Sequence, residues 1–259
     1  MSGKPGARRE EMLREMGIGP VWKLRTSEQV PEPEQPAVSV EPVAGEAAAP
    51  AASHPPSPTG SGHEPASIAK MDWPALQDSV ASCVACGLYA KRNKTVFGVG
   101  DRNADWLFVG EGPGAEEDAQ GEPFVGQAGA LLDNMLAAIE LKRGANVYIA
   151  NIVKCRPPQN RDPEQDEVAE CEPFLKQQIA VIQPEVIVAL GRCAAQTLLR
   201  DATSITRMRG KWREYQGIPL MPTFHPAYLL RNAAGKKSVW IDLQQVMGRL
   251  GLQVPKRTS

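Results

Sequence analysis

No part of this chain approaches the ~20 consecutive apolar residues of a membrane span. The N-terminus lacks the apolar core of an export signal, so the cytoplasm is the expected compartment. Charge of neither sign dominates, the formal net charge being −1. Residues 1–67 hold six Lys/Arg against nine Asp/Glu, which leaves 23 basic and 21 acidic residues for the rest. A surplus of two gives no weight to a nucleic-acid partner, so that case must rest on local placement. Residues 31–65 contain no aromatic residue but nine of the 23 prolines. Such a segment cannot bury enough apolar surface to offset the entropy of ordering it. Residues 31–67 are therefore expected to be a disordered linker.

Ahead of the linker, residues 1–30 form a tail. Glu10 to Met16 could make a short helix there, and Val21-Trp22-Lys23-Leu24-Arg25 is an apolar-basic patch. A poorly ordered terminus is the plainer reading, and a tethered docking peptide for a protein partner the sharper one. Residues 68–259 carry every cysteine and all but one tryptophan, enough for one packed domain. Apolar runs at Trp106–Gly110, Val147–Asn151 and Glu185–Leu190 read as buried strands. Helical spacing covers Ala128–Ile139. Asp162-Pro163-Glu164 starts a helix running towards Ile182, and further helices span Cys193–Leu199 and Ser238–Leu250. Trp212–Tyr215 and Ile218–Thr223 flank Gln216-Gly217 as a hairpin. No internal repeat interrupts the alternation, which predicts an open α/β fold, mainly parallel, with helices on both faces.

In such sheets ligands bind beyond the carboxyl ends of the strands. Gly110-Glu-Gly-Pro-Gly114 follows the first strand, Asn151 ends the second, and the last strand delivers Phe224-His-Pro226. Three separate segments thus meet at one rim, which predicts an active site. Gly110, Gly112 and Gly114 let the backbone approach a ligand closely. No Lys-Ser/Thr follows these glycines, GxGxxG spacing is missing, and Glu116, Glu117 and Asp118 would repel phosphate. A nucleoside triphosphate site is therefore not expected. Each rim residue also has a bland reading: Asn151 as a strand cap, Phe124 as core, His225 as a satisfied turn histidine, and Glu116 to Asp118 as a solvated helix start.

Five cysteines in a non-exported chain suit a reducing compartment, where clustered thiols more often bind metal than pair. Cys83 and Cys86 form a CxxC pair, and Cys155 and Cys171 a wider one. Four thiolates suit tetrahedral zinc or a [4Fe–4S] cluster, and spacing does not separate the two. Buried apolar thiols are the alternative. That suits Cys193 but not Cys83 or Cys155, whose neighbours include Lys91, Arg92, Lys154, Arg156 and Arg161.

Five motifs in order carry a family resemblance: Gly110-Glu-Gly-Pro-Gly-Ala-Glu-Glu-Asp118, Pro123-Phe-Val-Gly126, Asn151-Ile-Val-Lys-Cys-Arg-Pro-Pro-Gln-Asn-Arg161, Met208-Arg-Gly-Lys-Trp212 and Phe224-His-Pro-Ala-Tyr-Leu-Leu-Arg231. From Ser82 to Val246 the chain resembles the family 4, iron–sulfur uracil-DNA glycosylases of the uracil-DNA glycosylase superfamily. Residues 1–67 lie outside the resemblance.

The resemblance implies a single domain around a four-stranded, mainly parallel sheet, with a [4Fe–4S] cluster on Cys83, Cys86, Cys155 and Cys171. It implies uracil-containing DNA as substrate, a flipped base, and a monofunctional enzyme that leaves an abasic site. Phe124 would stack on the uracil and Asn151 read its edge. Gly110 and Gly112 would line the pocket, His225 would donate to O2 of the leaving base, and Glu117 would wall out the thymine methyl. Glu111 or Glu117 would position water, since Gly112 stands where the superfamily's better-known branch has an aspartate. Arg156, Arg161, Arg209, Lys211 and Arg231 would meet phosphates, with Leu229 or Leu230 wedged into the vacated stack. A monomer is expected. The alternatives are a non-catalytic iron–sulfur DNA-binding module and a redox protein, the latter without any accompanying flavin motif.

Overall fold

The computed structural model describes residues 65–253. The tail's Glu10–Met16 helix and Trp22 patch, and the linker up to residue 64, lie outside the described residues. The linker was expected to reach Ser67, but Pro65–Ile68 already form a helical turn that buries Ile68. Among the described residues no helix is long and apolar enough to cross a membrane.

Strands β1 (Val99–Gly100), β2 (Trp106–Gly110), β3 (Val147–Asn151), β4 (Val186–Leu190), β5 (Arg213–Tyr215) and β6 (Ile218–Thr223) form one sheet in the order β1-β3-β2-β4-β6-β5. The middle strands β3, β2, β4 and β6 run parallel, as the resemblance implied. The two short edge strands, β1 and β5, pair antiparallel and bring the total to six rather than four. The Val99-Gly100 pair is too short to carry an alternation pattern, so it left no sequence signal. β5 and β6 are the expected hairpin around Gln216-Gly217.

The helices are α1 (Trp73–Ala81), α2 (Ala115–Gln120), α3 (Gln127–Ala138), α4 (Gln165–Ile182), α5 (Gly191–Leu199), α6 (Ile205–Met208), α7 (Pro226–Arg231) and α8 (Gly235–Arg249). Strands β2, β3 and β4 are buried along their whole length, which is why they read as unbroken apolar runs rather than alternations. Their side chains still divide by face. Leu107, Val109, Tyr148 and Ile187 pack with Leu76, Phe174, Ile179 and Ala194 of α1, α4 and α5. Trp106, Phe108, Ile149 and Val188 pack with Leu132, Leu136, Leu243 and Val246 of α3 and α8. Helices therefore cover both faces, and only the strand ends remain for a site.

The chain leaves β2 for β3 on one side, and leaves β4 for β6 on the other. The carboxyl ends of β2 and β4 consequently flank a topological switch point, where a crevice opens.

Candidate active site

A cavity of about 430 Å³ opens at that crevice. Its lining includes Glu111, Gly112, Glu117, Phe124, Asn151 and His225, together with Arg161 and Arg231. The volume lies within the usual range of small-molecule sites. The structure thus brings together the rim residues expected from three distant segments, together with the Phe124 loop.

Close approach explains the glycines. A Cβ on Gly110 would stand 2.5 Å from Asn151 Oδ1 and 2.6 Å from the Phe124 ring, so both side chains occupy space that only glycine leaves. On Gly112 it would meet Val153 at 2.8 Å. Phe124 adopts φ 55°, an uncommon left-handed conformation for a bulky residue. Two features hold it there. Gly129 of α3 lies so close that a Cβ would sit 1.7 Å from the Phe124 carbonyl oxygen. Arg143 donates to the carbonyls of Pro123 and Phe124, each at 2.7 Å, and is itself paired with Asp133 at 3.0 Å. Surrounding structure over-determines the strained residue, as is common at functional sites.

Glu117 is committed to the backbone. Its carboxylate accepts from the N–H of Gly114 at 3.0 Å, Val125 at 3.0 Å and Gly126 at 3.2 Å, tying the first-motif loop to the Phe124 loop. Glu111 behaves differently. Burial, then the neighbouring Asp162 carboxylate, push it up to about 7, against the pull of Arg192. Asp162 stands beside Glu111, lines the cavity and pairs with Arg192.

His225 caps α7, where its Nδ1 accepts from Ala227 N–H at 3.1 Å. Gly191, at φ +90°, makes room behind it, since a Cβ there would meet His225 Cβ at 2.8 Å. Burial chiefly, with Arg231 adding to it, pushes His225 down to about 4 against the attraction of Glu117. The ring is therefore neutral near pH 7. With Nδ1 accepting, its proton sits on Nε2. Phe124 and His225 lie 5.4 Å apart with rings tilted by 30°. Asn151 is 2% exposed, and its Oδ1 is buried without a hydrogen-bond partner. A buried acceptor left unpaired costs about 1–3 kcal/mol, which a ligand donor would recover.

The expected phosphate contacts divide. Arg231 is exposed at the cavity, Lys211 is exposed, and Arg156 leans on Asn160 at 2.8 Å. Arg161 lines the cavity but is held by Glu167. Arg209 turns inward onto buried Asp242 and the Ser238 carbonyl, and stacks 5.5 Å from Phe224. Its guanidinium ties the end of α6 to α8 instead of facing solvent. Leu229 is also corrected: it is 1% exposed within the core, whereas Leu230 is 47% exposed. Sequence reasoning did not name Arg143, Asp162, Gly129 or Gly191 as site residues. Only Asp162 carried a signal, beside the third motif, and it was absorbed into the helix start.

On the other helix-covered face, Cys83, Cys86, Cys155 and Cys171 line one small cavity, although they come from three different segments. All are free thiols, as is half-buried Cys193, which lies apart beside Glu111. Arg92 donates to Cys155 Sγ at 3.2 Å and to the Cys83 carbonyl at 2.7 Å, and the Lys154 N–H donates to Cys171 Sγ at 3.2 Å. Burial pushes Cys86 up to about 11 and Cys171 up to about 12, and raises Cys155 despite Arg92. Among the described residues no three such side chains already stand in the arrangement of a single bound ion. The donor set of four thiols flanked by two basic residues nevertheless fits an anionic metal–thiolate group.

Fold and site together define an open α/β domain with a cavity of about 430 Å³ at its switch point. Residues 97–244 match the family model of the uracil DNA glycosylase superfamily. The chain is 46% identical over 163 residues to a type-4 uracil-DNA glycosylase of Thermotoga maritima, covering 62% of this chain and 84% of that protein. It is 41% identical over 184 residues to one from Archaeoglobus fulgidus, covering 68% and 92%. A third, from Pyrobaculum aerophilum, is 40% identical over 188 residues, covering 69% and 94%. The chain belongs to the type-4 uracil-DNA glycosylases within that superfamily.

Proposed function

We propose that this protein removes uracil from DNA by hydrolysing the N-glycosidic bond, leaving an abasic site. The observation that carries this reading is the cavity in which Phe124, buried Asn151 and a neutral His225 converge. A base reaches such a cavity only by leaving the helical stack. Phe124 then stacks on it. The unpaired Asn151 Oδ1 accepts from N3–H while its amide donates to O4. Cytosine offers the opposite pattern and leaves both groups unsatisfied. Glu117, fixed by three N–H groups, holds the loop that walls out the thymine methyl.

As the bond breaks, its electron pair moves onto uracil, and His225 Nε2–H donates to the charge growing at O2. A neutral donor suits this step, since no proton need be lost. Glu111, pressed to about 7, takes the proton of the water that adds to the sugar, and Glu117 serves as a positioning residue. Arg156, Arg161, Lys211 and Arg231 meet phosphates, and exposed Leu230 fills the vacated stack. Nothing about the cavity favours the non-catalytic alternative.

Cys83, Cys86, Cys155 and Cys171 would hold a [4Fe–4S] cluster, whose iron–thiolate bonds would staple three segments together. A reducing cytoplasm fits the free thiols, and a monomer suffices because one chain completes the cavity. The domain is taken to run from the Pro65–Ile68 turn to residue 259, with 31–64 a linker and the tail a docking segment.

The test is release of free uracil from an oligonucleotide with one uracil, beside matched thymine and cytosine strands. Uracil release alone, with alkali-labile abasic product, is expected. Equal release of all three bases, or of none by metal-loaded protein, overturns the reading.

A further inference from the structure

Lys154 stands three residues after Asn151 and directly before Cys155, yet its side chain is 1% exposed. Lysine is among the costliest residues to bury, and this one pairs with no carboxylate among the described residues: its Nζ donates to the Asn151 carbonyl at 3.0 Å and to Gln178 Oε1 at 2.6 Å. We propose that Lys154 is a positioning residue for Asn151, a strut that makes the base-reading amide depend on the thiol site. The inference rests on Asn151 reading the base.

The strut is fixed at both ends. Its own N–H donates to Cys171 Sγ at 3.2 Å, and its carbonyl accepts from Val96 N–H at 2.8 Å. Gln178 lies two turns beyond Cys171 on α4, and its amide donates to the Phe97 carbonyl at 3.0 Å. Helix α4 thus grips Lys154 twice, once through a thiol and once through Gln178. At the far end, the Asn151 carbonyl lies where β3 runs out. There Ile152 N–H and Val153 N–H are already spent on Gly110 and Glu111, which carries the β2–β3 register into the rim. The ammonium holds the carbonyl of the residue whose side chain must keep one orientation. A shift of about 1 Å at such a group costs on the order of 100-fold in rate. The linkage from Asn151 through Lys154 to Gln178 passes both Cys155 and Cys171, so placing these two thiols and orienting Asn151 are coupled.

The experiment is a double-mutant cycle between Lys154→Met and Asn151→Ala, read by single-turnover uracil release on metal-loaded protein. Lys154→Met alone is expected to lower the maximal single-turnover rate about 10- to 100-fold, with the half-saturating concentration changed less than about 3-fold. In the Asn151→Ala background the same change is expected to cost less than about 3-fold, because the group it positions is gone. Calorimetric binding of free uracil, which needs no turnover, is expected to weaken about tenfold in Lys154→Met and to show the same non-additivity. Visible absorbance and metal content report whether the thiol site survives.

Equal losses in both backgrounds would mean a merely structural lysine and overturn the proposal, as would an unchanged maximal rate and uracil binding with the thiol site intact. If Lys154→Met does not fold, Gln178→Leu removes only the outer anchor. A loss of about 5-fold that vanishes beside Asn151→Ala supports the strut, and no loss overturns it. Inactive wild-type protein would instead sink the uracil reading, a separate outcome.

Discussion

The cavity and the thiol site stand at the two ends of one five-residue segment, Asn151 to Cys155, yet they are built on opposite principles. The cavity is preorganised. Glycines at 110, 129 and 191 give way, Arg143 and Glu117 clamp the loops, and His225 is held in one tautomer before any ligand arrives. The thiol site is gathered rather than preorganised: burial raises Cys86, Cys155 and Cys171, and a metal that displaces thiol protons would turn such groups into ligands. One site holds its shape for a transient guest, and the other needs a permanent one. Catalysis is expected to respond to small displacements in the first, and stability to chemistry in the second.

The largest effect should come from breaking the second site. Cys171→Ala is expected to abolish iron binding and to cost about 4 kcal/mol or more, read as a drop in Tm together with loss of visible absorbance. A variant that keeps its iron and its Tm would remove the distinction between the sites.

Next comes Glu111. Its carboxyl keeps its proton below about 7 and can take one from water only above it, so the single-turnover rate should rise with pH through about 7 to a plateau. Glu111→Gln should flatten that rise and lower the plateau about 100-fold. Stability has the opposite slope. A carboxyl raised above its ordinary 4.5 binds its proton more tightly when folded, so its contribution declines as pH climbs from 4.5 towards 7. His225, pushed down to about 4, adds no limb between pH 5 and 9.

A smaller change sharpens the contrast by geometry alone. Gly110→Ala introduces no charge but drives a methyl into Asn151 and Phe124. About tenfold in kcat is expected, together with 1–3 kcal/mol of stability, while iron content stays unchanged. The smallest effect belongs to the exposed wedge. Leu230→Ala should weaken release from duplex about threefold and from single strands hardly at all, measured as the ratio of the two rates.

What was legible in the sequence follows the same division. β2 and β3 were readable to the residue because buried parallel strands appear as apolar runs, closed here by Gly110 and Asn151. The rim residues were readable because the strand ends gather them, and the four cysteines because thiols are scarce and their neighbours basic. What depended on distant partners was not. Arg209 looked like a phosphate ligand until Asp242, 33 residues away, proved to hold it. Leu229 and Leu230 are adjacent, and only the docking of α7 decides which of them faces solvent. Arg143 had no motif around it. Lys154 read as part of a cationic shell, and its inward turn could not be seen without Gln178.

The decisive measurement is single-turnover uracil release from one-uracil DNA by the wild type, Asn151→Ala and His225→Ala, each with its iron content checked. Active wild type is expected, with losses of about 100- to 1000-fold in each variant at unchanged iron, as befits removal of one preorganised donor or acceptor. Variants that keep wild-type rates, or that lose activity only in proportion to lost iron, would contradict a cavity preorganised for uracil.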